Sequence, residues 1–226
     1  MNPENAHRFA VVIPAYRPSV ALVDLVRTLT ERAIPAIVIV DDGSGPEFQH
    51  VFSRAAAFPN VQVVRHAVNL GKGAALKTGI NAALCATPGL VGVITADADG
   101  QHDPDDVERV AQTLLARPGC LVLGCRSFDR AVPLRSRIGN LATRAIMRAL
   151  MGRKLADTQT GLRGIPTPLL LRILRLESTG YEFELEMLIA AHQCRGPELL
   201  IPGRIKTLTA PGRATWTGSA RPYPAE

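Results

Sequence analysis

Short runs of apolar residues alternate with amphipathic segments along the first 126 residues of the chain. The runs are apolar at nearly every position and end in polar, turn-rich loops, a pattern typical of parallel strands buried on both faces. Between them, apolar residues recur at helical spacing, as at Leu22, Leu25, Val26 and Leu29. Such alternation predicts an α/β fold with a mostly parallel sheet and helices on both of its faces. The predicted strands are residues 9–13, 34–40, 61–65, 90–94 and 121–124, and the predicted helices are one starting near Ser19 and residues 47–58, 71–86 and 104–116.

A different pattern begins after Arg126. Residues 135–153 form a predicted amphipathic helix on which Arg137, Arg144 and Arg148 make a basic stripe beside the apolar side. Such a helix either packs against the core with its arginines in solvent or lies on an anionic membrane surface, and the pattern alone favours the first. A polar, turn-like segment at residues 157–164 follows, and the helices predicted after it are residues 166–175 and 181–192.

Two carboxylates and a carboxamide follow the predicted strand at residues 90–94. Asp97, Asp99 and Gln101 would point the same way if the segment stays extended. The carboxyl edge of an open α/β sheet is where ligands bind, and hard oxygen donors suit Mg²⁺ or Mn²⁺ with open positions for substrate phosphates. An acidic turn that caps the next helix is the alternative, and the segment by itself does not decide between them.

The loops after the first two predicted strands, residues 14–17 and 41–45, are expected at the same edge of the sheet. Asp41 and Asp42 are placed to accept hydrogen bonds from a base or ribose, with a helix cap as the alternative. Gly71-Lys72-Gly73 opens a predicted helix with free N–H groups, a positive dipole end and a cation, which together suit a diphosphate. A tight turn with a solvated lysine is the alternative and is preferred on the tripeptide alone.

Composition narrows the classes of function. Lys and Arg number 26 against 20 Asp and Glu, a net charge of +6 that favours an anionic partner. Aromatic residues make up only 4% of the chain and do not interleave with basic stretches, which argues against nucleic-acid binding. The four cysteines form no Cys-x-x-Cys pair and predict small core residues in a reducing compartment.

Targeting signals and histidines add two expectations. We see no secretion signal and no apolar run long enough to span a bilayer, so a cytoplasmic protein, soluble or peripheral on the membrane, is expected. Of the five histidines, only His102 falls inside a candidate site, and His66 is predicted to be a surface or packing residue like the rest.

Four motifs, taken in order and spacing, resemble the family 2 glycosyltransferases. Within that family the chain is most similar to the dolichyl- and polyprenyl-phosphate sugar synthases, from about residue 11 to residue 201. The motifs are Pro14-Ala15-Tyr16, Asp41-Asp42-Gly43-Ser44, Asn69-x-Gly71-Lys72-Gly73-Ala74 and Asp97-Ala98-Asp99-Gly100-Gln101-His102-x-Pro104.

The resemblance implies a GT-A fold, a nucleotide-sugar donor, a divalent cation (Mg²⁺ or Mn²⁺) and a polyprenyl-phosphate acceptor. It also raises the membrane interpretation of the arginine stripe above the packing one. The implied donor contacts are Pro14, Ala15, Tyr16, Asp41, Asp42, Gly71, Lys72 and Gly73. The implied metal ligands are Asp97, Asp99 and Gln101, and the implied catalytic groups are Asp97, Asp99 and Arg126. The implied acceptor contacts are Arg135, Arg137, Asp157, Arg163 and Glu184.

Three functions follow as alternatives. A lipid phosphate is already a dianion near neutral pH and attacks the anomeric carbon without a protein base, so transfer to it inverts the configuration. Transfer to a glycan hydroxyl needs a carboxylate base, for which Asp157 or Glu184 is the candidate. A donor-binding module without turnover is the third. The sequence leaves the sugar, the choice between UDP and GDP, and the oligomeric state open.

Two stretches depart from the family pattern. Arg17-Pro18 stands where many lipid-phosphate mannose synthases have Asn-Glu. The tail at residues 207–226 is rich in Pro, Gly and Thr and is predicted to be irregular, where the family continues with a strand, a loop and an apolar helix. We therefore expect one domain over residues 1–206, with a donor half at residues 1–125 and an acceptor half at residues 126–206, and an altered C-terminus that weakens acceptor and membrane binding.

Overall fold

Strands and helices alternate in the order that the hydrophobic pattern predicts. The structure is a computed structural model that describes residues 9–126, 161–180, 182–193 and 198–203. Up to residue 126 the elements are β1 (Phe9–Ala15), α1 (Ala21–Glu31), β2 (Ile37–Asp41), α2 (Gln49–Ala56), β3 (Val61–Arg65), α3 (Lys72–Ala86), β4 (Gly92–Thr95), α4 (Pro104–Ala116) and β5 (Leu121–Arg126). The later elements are β6 (Arg163–Pro166), α5 (Thr167–Ile173), α6 (Glu182–Gln193) and β7 (Glu198–Gly203).

The described strands form a single mixed sheet. Its order is β3-β2-β1-β4-β6-β5-β7. β3, β2, β1 and β4 are parallel to one another, β6 is antiparallel to both β4 and β5, and β7 is parallel to β5. The predicted α/β class with a mostly parallel sheet is confirmed.

The core lies on both faces of this sheet. Alternate residues of β1 point to opposite faces: Ala10 and Val12 join a cluster with α3, α5 and α6, whereas Val11 and Ile13 join a cluster with α1, α2 and α4. All of β1 is buried, which explains why its sequence is apolar throughout rather than alternating. The predicted placement of helices on both faces is confirmed.

Two predicted strand starts are too early. β2 begins at Ile37 rather than at residue 34, because the Ile34 N–H donates to Leu29 O and closes the end of α1. β4 begins at Gly92 rather than at residue 90, because the Leu90 N–H donates to Thr87 O in the turn after α3. Apolar residues that the pattern assigns to strands thus lie in turns after helices, where their N–H groups bond to carbonyl groups at the helix ends.

Residues 157–164 are predicted to be polar and turn-like, and this prediction is wrong at the end of the segment. Its described part leads directly into β6, a fully buried strand between β4 and β5. Arg163 starts this strand with only 2% of its surface exposed. A Cβ at Gly164 would press on Val110 of α4 and Val122 of β5, so the lack of a side chain at residue 164 leaves room for these two residues. Because this strand begins with a charged residue and a glycine, it lacks the apolar run by which the other buried strands are predicted.

Several predictions lie outside the described residues. They are the helix at residues 135–153 with Arg135 and Arg137, the acceptor residue Asp157, and the tail at residues 207–226. Among the residues that are described, no helix combines the length and the apolar character needed to cross a membrane.

Candidate active site

The predicted convergence of loops occurs at the carboxyl edge of β1, β2 and β4. The start of antiparallel β6 and the N-terminal ends of α3 and α6 lie at the same edge. A pocket there is lined mainly by residues of these segments: Pro14, Lys72, Leu76, Ile80, Thr95, Ala96, Asp97, Gly161, Arg163, Ile165, Phe183, Glu184 and Met187. It brings together Lys72 and Asp97, assigned to the donor and metal site, with Arg163 and Glu184, assigned to the acceptor site.

Lys72 lies between two carboxylates. Its Nζ is 2.8 Å from Asp97 Oδ1 and 2.9 Å from Glu184 Oε1, and only 16% of the side chain is exposed. Burial opposes the charge on the ammonium group, but Asp97 and Glu184 outweigh it and raise the pKa of Lys72 above its usual range. Lys72 is therefore a fixed positive charge at neutral pH. The alternative prediction, a tight turn with a solvated lysine, is wrong because the side chain is largely buried between two carboxylates.

Glu184 is held by a second cation. Arg163 Nη2 lies 3.1 Å from Glu184 Oε2, and Arg163 is buried. Each carboxylate oxygen of Glu184 thus faces a different cation, and the four side chains form a chain of alternating charge, Asp97–Lys72–Glu184–Arg163. Glu184 is therefore the link between the donor-side cation and the acceptor-side cation of the pocket.

Asp97 also contacts His102. The Nε2 atom of His102 lies 3.3 Å from Asp97 Oδ2, and His102 is buried. Burial alone would raise the pKa of the Asp97 carboxyl, but Lys72 and His102 hold it well below its usual range. His102 is the histidine that the sequence places in the site, and its position beside Asp97 agrees with that prediction.

The acidic cluster does not stay extended. The chain turns after Asp97, with Gly100 at a φ of 71° and the Gln101 N–H donating to Asp99 Oδ1 at 3.0 Å. The condition under which all three side chains would align is therefore not met. Burial raises the pKa of the Asp99 carboxyl, and the charge of Asp97 raises it further against the Gln101 hydrogen bond.

The donor set fits a divalent cation that draws its remaining ligands from substrate. Asp97 and Asp99 are neighbouring carboxylates, and burial together with the charge of Asp97 raises the pKa of Asp99, an effect that a bound cation would offset. Across the part of the chain that the structure describes, no three His, Cys, Asp or Glu side chains form a complete metal-binding group. Phosphate oxygens and water would have to complete the coordination shell, as is usual for Mg²⁺.

Asp41 and Asp42 are both buried and engaged within the protein. Asp41 Oδ1 accepts from the Ser44 N–H at 2.9 Å, and Arg65 Nε lies 3.2 Å from its Oδ2. Asp42 accepts from the Leu70 and Gly71 N–H groups at 2.9 and 3.0 Å. Their predicted donor contacts stay predictions, and the structure shows that both carboxylates organise the neighbouring loops.

The N-terminus of α3 is less open than predicted. Free N–H groups are predicted at Gly71-Lys72-Gly73, but that of Gly71 donates to Asp42, and the next N–H along, that of Ala74, donates to Thr179 O at 3.0 Å. A Cβ at Gly73 would stand 2.6 Å from Thr179 O and 2.7 Å from Phe183 Cβ. The Gly71-Lys72-Gly73 segment is packed against the segment that precedes α6, which the sequence gives no means to anticipate.

The remaining donor candidates lie on and just after β1. Pro14 and Ala15 belong to β1, and Tyr16 follows with a half-buried ring beneath the Arg17 guanidinium, whose carbon is 5.1 Å from the ring centre. Arg17 has a φ of 51°, and its N–H donates to Ser44 Oγ at 2.9 Å. Arg126 ends β5 at the far side of β6.

Two further residues contribute to the site, and of these only His66 was missed from the sequence. Gly161 packs on Asp97, and its carbonyl accepts from Thr95 Oγ1 at 2.7 Å. His66, set aside as a surface or packing residue, is buried with its Nδ1 2.7 Å from Asp42 Oδ1. The one available signal for His66 was its place directly after β3, level with Asp42 after β2.

Comparison with known proteins gives concordant matches. The family model described as glycosyl transferase family 2 matches residues 10–169. An uncharacterized protein of Methanocaldococcus jannaschii is 34% identical over 196 residues, which cover 84% of this chain and 78% of that protein. The UDP-N-acetylglucosamine–dolichyl-phosphate N-acetylglucosaminyltransferase of Methanococcus voltae is 30% identical over 200 residues, which cover 80% of this chain and 78% of that enzyme.

A solved structure shares the fold. It is glucosyl-3-phosphoglycerate synthase from Mycobacterium tuberculosis in complex with Mn²⁺, uridine diphosphate and glucosyl-3-phosphoglycerate. The TM-score is 0.69 at 21% identity, with 91% of this chain and 73% of that chain covered. The predicted GT-A fold is confirmed by this likeness.

Proposed function

The chain belongs to glycosyl transferase family 2, and on that premise we propose that it moves a sugar from a UDP- or GDP-linked donor to a polyprenyl phosphate at the cytoplasmic face of a membrane. The observation that supports this most directly is the pocket at the carboxyl edge of the sheet, where Asp97 and Lys72 meet Arg163 and Glu184. It joins Asp97 and Lys72, which suit a metal-bound diphosphate, with Arg163, a cation that suits an anionic acceptor.

The donor is proposed to bind between the end of β1 and the start of α3. Lys72 is charged and stands at the beginning of a helix whose dipole favours anions. When a donor diphosphate binds, Lys72 would exchange one of its carboxylate partners for a phosphate oxygen and offset negative charge on the leaving group. A divalent cation held by Asp97, Asp99 and Gln101 would supply Lewis-acid stabilisation of the same leaving group.

The acceptor is proposed to be a phosphate rather than a hydroxyl. Glu184 is one of two base candidates for a hydroxyl acceptor, but both of its oxygens face cations at 2.9 and 3.1 Å. Both oxygens are therefore directed at cations rather than at a hydroxyl, whereas a phosphate monoester dianion needs no base. The dolichyl-phosphate acceptor in the name of the Methanococcus voltae relative supports the same choice.

The anionic acceptor headgroup is proposed to meet a set of arginines. Arg163 is the described member at the pocket, and Arg126 ends the strand beside it. Arg135 and Arg137 would extend this set along the basic amphipathic helix, which would also bring the enzyme to the membrane surface. Direct displacement by the phosphate would invert the anomeric configuration.

A thermal-shift panel of UDP- and GDP-sugars with and without Mn²⁺ tests the donor site. A ligand at about 100 times its dissociation constant adds roughly 2.7 kcal/mol to the free energy of unfolding, which is a readily measured shift. We expect a Mn²⁺-dependent shift with one nucleotide class, lost in Asp99→Asn and kept in Asp24→Asn, a matched change at an exposed acid. Absence of any shift from folded protein would contradict the proposal.

Transfer is tested with the donor that the panel identifies. Radiolabelled sugar should move to undecaprenyl phosphate in detergent micelles, and undecaprenol, which lacks the phosphate, should accept none. Transfer to a glycan hydroxyl with no transfer to the lipid phosphate would contradict the proposed acceptor while leaving the donor site intact.

A further inference from the structure

Asp42 is a buried carboxylate that holds the loop leading into α3. It has no exposed surface, and it accepts from the backbone N–H groups of Leu70 at 2.9 Å and Gly71 at 3.0 Å. The two amides belong to consecutive residues directly before Lys72, so the position of Asp42 sets where α3 begins. Its own N–H donates to Ala15 O at 2.9 Å, which ties the same residue to the end of β1.

His66 supplies the third hydrogen bond to Asp42. Its Nδ1 lies 2.7 Å from Asp42 Oδ1, and its Nε2 lies 2.9 Å from the Thr78 hydroxyl on α3. Because a carboxylate only accepts hydrogen bonds, the network assigns the proton of a neutral His66 to Nδ1, and Nε2 then accepts from Thr78. His66 therefore links the loop after β2 to the second turn of α3.

The loop held by this link is exposed on its outer side and packs against Thr179 on the other. Gly71 has a φ of 95°, a conformation that only glycine adopts readily, and the flanking Val68 and Leu70 side chains are more than half exposed. Without its bond from His66, the Asp42 carboxylate loses one of the three hydrogen bonds described above, and we expect its hold on the Leu70 and Gly71 amides to loosen. Lys72 moves with Gly71, because it is the next residue.

We propose that His66 is a positioning residue for donor binding, acting through Asp42 and the Gly71 amide on Lys72. The inference rests on the proposed function in that Lys72 is taken to contact the donor diphosphate. The inference goes beyond the proposed function in two ways. It assigns Asp42 to hold the loop, and it makes His66 necessary for tight donor binding although His66 itself does not touch the donor.

Two substitutions of equal polarity distinguish the role of His66 Nδ1 from that of His66 Nε2. The side-chain nitrogen of asparagine lies as many bonds from Cβ as Nδ1 of histidine, so His66→Asn keeps a donor for Asp42. The longer His66→Gln places its nitrogen toward Thr78 instead. We expect the donor dissociation constant in the presence of Mn²⁺ to rise about tenfold or more in His66→Gln, because hydrogen bonds to charged groups are among the strongest, and to stay within about threefold in His66→Asn. His50→Gln, at an exposed histidine on α2, is the matched control and should leave the constant unchanged.

The Gly71 amide resonance reports the mechanism directly. In ¹⁵N-labelled protein without donor, His66→Gln should shift it and increase its hydrogen exchange, whereas His66→Asn and His50→Gln should not. Thr78→Val removes only the partner of His66 Nε2, so it should match His66→Asn and stay within about threefold. If His66→Gln fails to fold, His66→Ala, which removes both ring nitrogens, should weaken donor binding in its place, and unchanged binding in that variant would overturn the proposal.

The outcomes separate this proposal from the proposed function. If the wild-type protein binds no nucleotide-sugar, the proposed function fails. If the wild-type protein binds a donor, and His66→Gln binds it equally well with a changed melting temperature only, His66 is merely structural and the positioning proposal is overturned.

Discussion

Gly161 packs directly against the Asp97 carboxylate, so closely that a Cβ at residue 161 would overlap both of its oxygens. The glycine is held there by its carbonyl, which accepts from the buried Thr95 hydroxyl at 2.7 Å. Asp97 is in turn fixed by Lys72 and His102 on its other sides. The orientation of this carboxylate is therefore determined by residues from four separate segments of the chain.

Gly161→Ala should abolish metal-dependent donor binding. The added methyl group must displace Asp97, because the Thr95 hydrogen bond keeps residue 161 from retreating. We expect the Mn²⁺-dependent thermal shift with nucleotide-sugar to disappear. Gly119→Ala is the control, since a Cβ there meets nothing within 4 Å, and it should behave as the wild type. Equal donor binding by the two variants would show that Asp97 is not required.

Glu184→Ala should destabilise the fold strongly. It removes the carboxylate that lies 3.1 Å from Arg163, whose side chain is only 2% exposed, and breaking a buried ion pair from one side costs about 3–5 kcal/mol. Urea unfolding measures the change in the free energy of unfolding. Asp24→Ala removes a comparable partner from Arg27 at an exposed pair, where the cost is expected to stay below about 1 kcal/mol. Similar losses in the two variants would mean that the Glu184 pair is effectively solvated.

Glu182→Gln should make the free energy of unfolding depend less strongly on pH in the acidic range. Backbone N–H groups of its own residue and of Gly180 lower the pKa of the Glu182 carboxyl in the folded protein. A lowered folded-state pKa stabilises the fold above the unfolded-state value, and that contribution is lost as the pH falls through the folded-state value. Urea midpoints between about pH 3 and pH 6 should fall less steeply in the variant, by less than about 1 kcal/mol because the carboxylate is exposed. Parallel curves would contradict the assignment.

Ala33→Gly should stabilise the protein. Ala33 has a φ of 56° and follows α1, where its N–H donates to Thr30 O and the Ile34 N–H donates to Leu29 O, the hydrogen bonds of a Schellman motif. Glycine adopts this conformation without the steric cost that Cβ carries, a gain of about 0.5–1 kcal/mol. Ala82→Gly, inside α3, should change the free energy of unfolding by a similar amount in the opposite direction. Destabilisation by both substitutions would show that Ala33 carries no strain.

The sequence predicted the fold where burial shows as an apolar run and failed where it does not. β1 is apolar along its length and was placed within two residues of its observed end, whereas β6 begins with Arg163 and includes Gly164 and was missed. Arg163 is buried because Glu184, 21 residues away, neutralises it, and no local pattern carries that information.

For the candidate site, the sequence predicts where the loops lie. Tyr16, Asp42 and Asp97 follow β1, β2 and β4 at one edge of the sheet, because parallel strands present their carboxyl ends together. The partners of these residues were not predicted. Asp42 bonds the backbone of a loop that starts 28 residues later, and Thr179 O takes an amide of α3 more than 100 residues earlier. These contacts depend on tertiary distances that motif spacing does not encode.

The antiparallel placement of β6 has a consequence for the order in which the chain folds. β6 pairs with β4 on one side and β5 on the other, although it follows both in the sequence. During synthesis, β1 to β4 can pair as soon as they emerge, but the edge of β4 that β6 will cover stays open until residues 163–166 have left the ribosome. Open strand edges recruit other chains. The interval between the appearance of β4 and that of β6 is therefore when the nascent protein is most exposed to aggregation, and a chain terminated before β6 would retain that edge permanently.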